Sequence, residues 1–103
     1  IARRGERFLK RIYTTEERRL YGGKTPSLAA RFAGKEAVMK LLGAKGIGWR
    51  DIEILARPDG SPLTNLYGRA KSQARRRGIK NIAISLSHSR QCAIATATAI
   101  AGD

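Results

Sequence analysis

The sequence predicts an α+β fold in which a long helix packs on a mostly antiparallel sheet. Apolar residues recur at helical spacing through the first half, ending in a long amphipathic stretch over 26–42. Beyond residue 48 the apolar period falls to two, in four short runs. A basic helical stretch divides these runs into two pairs. That order of helices, strands, helix and hairpin favours antiparallel pairing over a parallel sheet. With 103 residues the chain forms a single domain, 1–103. A domain this small buries only part of its surface, so an oligomer that buries more would stabilise it.

The first element is a short helix over "ARRGERFLKRI" (2–12), with Phe8, Leu9 and Ile12 as its apolar side. "TTEE" (14–17) has the spacing of a capping box. The Thr14 hydroxyl can accept a backbone N–H, and Glu17 can reach back to the N-cap. The helix it opens runs to about Tyr21, where "GGKTP" (22–26) breaks it. Thr25 is the expected N-cap of the long helix, Pro26 its first helical residue and Gly43 its terminator. At about 100° per residue, Leu28, Phe32, Met39 and Leu42 form one narrow stripe, and Lys35 lies inside it. Glu36 and Lys40 are one turn apart on an edge shared with Ala29 and Ala33, whose small side chains leave that edge open. "DIEIL" (51–55) and "LTNLY" (63–67) flank the turn "RPDGSP". "GRAKSQARRRG" (68–78) reads as a basic helix closed by Gly78. "NIAISLS" (81–87) and "CAIATATAI" (92–100) alternate about the loop "HSRQ". Ala93, Ala95, Ala97 and Ala99 share a face that permits close approach by a helix or another subunit.

Charge narrows the function. Twenty-one basic and eight acidic residues give a net charge of +13, which attracts polyanions without choosing among them. A lone cysteine, Cys92, fits a reducing cytoplasm. No apolar run approaches the roughly 20 residues of a membrane span, and no signal peptide is visible. There is no CxxC, GxGxxG or P-loop, which argues against zinc, dinucleotide and NTPase chemistry.

Three groups of residues could carry chemistry. Lys35 and Glu36 are either a solvated pair or a metal carboxylate flanked by phosphate-binding lysines; Mg²⁺ commonly takes only one or two carboxylates and completes its shell with water and phosphate. Arg4, Arg7 and Arg11 recur at i+3 and i+7, giving either a solvated face or one suited to an acidic helix of a partner. His88, the only histidine, follows Ser85 and Ser87 at a strand end, as a structural residue or as a phosphate contact.

"RFAGKEAVMKLLG" (31–43) resembles the signature Phe/Trp-Ala-x-Lys-Glu-Ala/Ser-x-x-Lys of the 4′-phosphopantetheinyl transferases. "GERFLKRIYTTEE" (5–17), "GWRDIEILARPDGSPL" (48–63) and "ISLSHSRQCAIATA" (84–97) resemble, in order, the first helix, central hairpin and C-terminal hairpin of the bacterial trimeric type. The resemblance implies the transferase fold and the transfer of 4′-phosphopantetheine from coenzyme A to a serine of apo acyl carrier protein, in support of fatty acid biosynthesis. It implies Mg²⁺ held by Glu36, and Glu36 and Lys40 as the catalytic pair. It places Arg31, Lys35, Lys40, Ser87 and His88 around coenzyme A and Arg7 and Arg11 against the carrier protein, and helical spacing adds Arg4 to that carrier-facing set. It further implies a homotrimer with active sites where subunits meet, and a second metal carboxylate on a strand expected upstream of Ile1.

Neither nucleic acid nor membrane is an expected partner. The competing reading is a small basic RNA-binding protein of ribosomal type, since phosphate attraction carries no sequence code. Against it, only 6% of residues are aromatic, and no stacking platform appears.

Overall fold

The computed structural model describes residues 2–88 and 93–101, apart from the side chains of residues 2–4 and 88. Three helices come first: α1 (Ala2–Ile12), α2 (Thr15–Tyr21) and α3 (Thr25–Leu42). A 3-10 turn (Trp49–Asp51) leads into β1 (Ile52–Ala56) and β2 (Pro62–Leu66). Helix α4 (Gly68–Arg76) precedes β3 (Ile79–His88) and β4 (Ala93–Ala101). The loop expected over 88–91 and Cys92 fall at or beyond the limit of the described residues.

The strands form two antiparallel hairpins, β1–β2 and β3–β4, with no ladder between them among the described residues. In the second, Ile82 faces Ala99, Ile84 faces Ala97 and Leu86 faces Ala95, so large residues oppose small ones on the inner face. Helix α3 packs on that face. Gly34 marks the closest approach: a Cβ there would lie 2.6 Å from Ile54 Cδ1 and 3.0 Å from both Ile84 Cδ1 and Leu86 Cδ2. The alanine face of β4 is therefore packed against α3 of the same chain, the helix contact that the small residues permit.

The core joins Val38 and Leu42 of α3 to Ile52 and Ile54 of β1 and Ala70 and Ala74 of α4. Full burial of each large aliphatic side chain contributes roughly 1.5–3 kcal/mol. A second cluster, Ile12, Tyr13 and Leu28, ties α1 to α3 beside Phe32 and Trp49. The Phe32 and Trp49 rings stack at 4.8 Å, and Phe8 lies 6.4 Å beyond Phe32.

Most helix ends follow local chemistry. The Thr14–Glu17 capping box is present. Gly43 closes α3 at φ 72°, in the left-handed region that only glycine enters without strain. Arg77 donates to the carbonyls of Leu41 and Leu42 at 3.0 Å, and Gln73 donates to Leu42 O at 2.9 Å. Arg77, just past the end of α4, thus helps to cap the negative end of α3. The starts of α3 and α4 differ: Lys24 rather than Thr25 is the N-cap of α3, Tyr67 is that of α4, and no side chain caps either helix. Proline near the start still costs no hydrogen bond, because the first N–H groups have no helical acceptor.

Candidate functional site

Helix α3 buries a wider arc than the stripe read from sequence, because it meets both hairpins. Leu28, Ala30, Arg31, Gly34, Lys35, Val38 and Leu42 are buried, while Phe32 and Met39 lie at the border, half-buried. Lys35 therefore sits in the middle of the buried arc rather than interrupting its rim.

Its charge is compensated inside the protein. Lys35 Nζ lies 2.7 Å from Glu17 Oε1, and both side chains are 0% exposed. The ammonium also donates to Trp49 O at 3.1 Å and to Ile52 O. Glu17 in turn accepts the Thr14 N–H at 2.9 Å on Oε1 and the Ile54 N–H at 2.7 Å on Oε2. Burial pushes the Lys35 ammonium down from its ordinary pKa, and the Glu17 carboxylate opposes that shift.

Arg31 is held in a similar way. Its Nε donates to Ile54 O at 2.8 Å and Nη1 to Ser27 O at 3.3 Å, and its guanidinium carbon lies 3.5 Å above the centre of the Tyr21 ring. Both residues were expected around coenzyme A. Here the three donors of Lys35 and two of the five N–H donors of Arg31 are engaged by the fold.

Glu36 and Lys40 stand differently. Both are exposed, one turn apart, and neither is in an ion pair among the described residues. Ala29 is exposed and Ala33 half-buried, so the edge beside them is low, as expected. A free carboxylate with a lysine one turn on can ligate a hard cation and face phosphate oxygens. Among the described residues no cluster of three His, Cys, Asp or Glu side chains supplies a complete metal site. Glu36 alone fits the single-carboxylate share of a site completed by phosphate and water.

The remaining expected residues are dispersed. Ser87 is exposed on the outer face of the β3–β4 hairpin, opposite the face that α3 covers, so one chain does not bring it to Glu36. His88 ends β3, paired with Ala93 in the backbone register; its side chain, like that of Arg4, lies outside the described residues. Arg7 and Arg11 are exposed one turn apart on α1, away from the apolar side formed by Leu9 and Ile12.

Two residues carry more than their sequence context suggested. Glu17 was legible only as half of a capping box, yet a lysine inside an apolar stripe requires a buried acid, and the chain has only eight. Glu53 is 7% exposed and accepts from Thr14 Oγ1 at 2.6 Å, Tyr67 OH at 3.0 Å and Asn65 Nδ2 at 3.2 Å. The strand alternation around it gave no sign of those partners.

Comparison with known proteins agrees with the motif. A family model described as the 4′-phosphopantetheinyl transferase superfamily matches residues 1–97. A holo-[acyl-carrier-protein] synthase of Dehalococcoides mccartyi is 52% identical over 99 residues, spanning 95% of this chain and 83% of that relative. The Helicobacter pylori holo-[acyl-carrier-protein] synthase, solved in complex with coenzyme A, superposes with a TM-score of 0.79 at 32% identity, covering 91% of this chain and 82% of that one. The Neisseria meningitidis enzyme of the same name gives a TM-score of 0.79 at 33% identity, covering 93% and 82%. With its signature on α3 and a family match across nearly its whole length, this chain belongs to the 4′-phosphopantetheinyl transferase superfamily.

Proposed function

We propose that this protein transfers 4′-phosphopantetheine from coenzyme A to a serine of apo acyl carrier protein, as a holo-[acyl-carrier-protein] synthase. The observation that carries the reading is the exposed pair Glu36 and Lys40 on the open edge of α3, within the segment that bears the family signature. Relatives of the same name cover most of the chain, and one is solved with coenzyme A.

In this reading the carrier serine hydroxyl adds to the phosphorus on the pantetheine side of the pyrophosphate. The bond to the adenosine-side phosphate breaks, adenosine 3′,5′-bisphosphate leaves and the serine proton is lost to water. Such transfers depend mainly on positioning and charge neutralisation. Lys40 brings an ammonium to the pyrophosphate, and Glu36 provides a carboxylate for Mg²⁺. When bound there, Mg²⁺ would neutralise phosphate charge and stabilise the leaving group. Arg7 and Arg11, with Arg4 on the same helix, offer cations to an acidic carrier surface, where they set encounter rate and orientation more than affinity.

A homotrimer in the cytoplasm belongs to the same proposal. Over residues 83–87 and 94–98 the outer face of β3–β4 presents Ala83, Ser85, Ser87, Ile94, Thr96 and Thr98, without one charge, in a chain of net charge +13. Ile94 is 59% exposed on that face, and a second copy would cover it. Ser87, turned away from α3 of its own chain, would then meet coenzyme A held by a neighbouring copy.

The test is incubation with coenzyme A, Mg²⁺ and apo acyl carrier protein, read by mass spectrometry of the carrier. A mass gain of one phosphopantetheine group, lost when EDTA replaces Mg²⁺, is expected. A folded protein that leaves the carrier unmodified contradicts the proposal.

A further inference from the structure

Lys35 lies at the centre of the signature, yet its ammonium has nothing left to offer a ligand. An ammonium has three donors. Here Glu17 Oε1 at 2.7 Å, Trp49 O at 3.1 Å and Ile52 O take all three. Glu17 is equally occupied, by the Thr14 and Ile54 backbone N–H groups. The pair thus bonds α3 to the start of α2, to the 3-10 turn and to β1.

These bonds restrain one degree of freedom in particular. Apolar contacts along α3 tolerate small rotations of the helix about its axis. A buried ammonium with three fixed acceptors does not, because any turn breaks bonds that no water can replace. Glu36 is the next residue, about 100° further round the helix. Its exposed carboxylate, and the Lys40 ammonium one turn on, point where the Lys35 anchor lets them point.

We propose that Lys35 is a positioning residue: through Glu17, Trp49 and Ile52 it sets the rotation of α3, and so the aim of Glu36 and Lys40, without touching coenzyme A. The proposal rests on the transferase reading for the role of Glu36, and on the buried geometry alone for the role of Lys35. A buried ion pair is seldom more stabilising than well-packed apolar residues. What it adds over an apolar contact is direction, and a helix that must aim two charged groups uses it.

Two measurements test this. In the first, lysines of the folded wild-type protein are acetylated with and without coenzyme A and read by peptide mass spectrometry. Lys35 is expected to stay unlabelled in both, while Lys40 is labelled in the free protein and protected by coenzyme A. Labelling of Lys35 that coenzyme A suppresses would overturn the proposal. Absence of protection at Lys40 would instead count against the transferase reading. The second uses Glu17→Met/Lys35→Met, which removes both charges and keeps chain length. This variant is expected to fold, to bind coenzyme A by calorimetry within about twofold of wild type, and to lose about tenfold or more in kcat. An unchanged kcat, or a Kd weakened about tenfold with kcat intact, overturns it. Should the double variant fail to fold, the labelling result decides.

Discussion

The buried face of α3, with Arg31 and Lys35, and its open edge, with Glu36 and Lys40, each carry two charged side chains, in opposite surroundings. On the buried face each charge is met at close range: Lys35 by a carboxylate and two carbonyls, Arg31 by two carbonyls and an aromatic ring. On the edge, neither Glu36 nor Lys40 is in an ion pair among the described residues. A charge already satisfied by the protein supports structure; one left open to solvent is available to a ligand. Both kinds occur within ten residues because a helix turns about 100° at each step. The signature therefore mixes residues whose charges the fold engages with residues whose charges stay exposed.

Substitutions can break this contrast from the buried side. Lys35→Ala leaves Glu17 charged, buried and short of its cation. Removing one partner of such a pair costs roughly 3–5 kcal/mol, so the urea midpoint should fall steeply. A midpoint close to wild type would mean that the pair is open to water.

Tyr13 sharpens the same side through pH. Its hydroxyl donates to Leu28 O at 2.6 Å, and burial, aided by the Glu17 charge, pushes its pKa from the ordinary 10 up to about 12. The folded state thus keeps the proton longer than the unfolded state. The stabilisation is complete below pH 10 and is lost as pH rises from 10 to 12, about 2–3 kcal/mol in all. Denaturation across this window should show the decline, and Tyr13→Phe should flatten it.

Thr14→Ala comes next. It removes the hydroxyl that accepts the Glu17 N–H at 3.2 Å and donates to Glu53 Oε2 at 2.6 Å. Loss of the N-cap costs about 1 kcal/mol and the stranded Glu53 oxygen adds to it, so the melting temperature should fall modestly. The smallest effect belongs to Arg19→Ala. Arg19 pairs with Glu16 at 2.6 Å, but both side chains are well exposed and screened by solvent. Its melting curve should overlay that of wild type.

How far the sequence could be read follows from the range of the forces involved. The capping box, the glycine stop after Leu42 and the strand alternation depend on neighbours a few residues apart, and each appears where local chemistry puts it. The buried arc of α3 was less legible: its width depends on two hairpins that come later in the chain, so Phe32 and Met39 looked central and Arg31 was read only through the motif. The exposed positions of Glu36 and Lys40 follow from helical spacing alone. The partner of Lys35 does not, because Glu17 is eighteen residues away and already had a local explanation as a cap. Ser87 was grouped with α3 by motif, yet strand alternation turns it to the other side of the hairpin.

The central claim is that Glu36 works from the surface of α3 while Lys35 works inside it. The most direct test is the turnover of apo acyl carrier protein by Glu36→Gln, measured beside its melting temperature. The account predicts that turnover falls by about a hundredfold or more while the melting temperature stays at the wild-type value. Turnover near wild type would contradict the assignment of the exposed carboxylate to the chemistry.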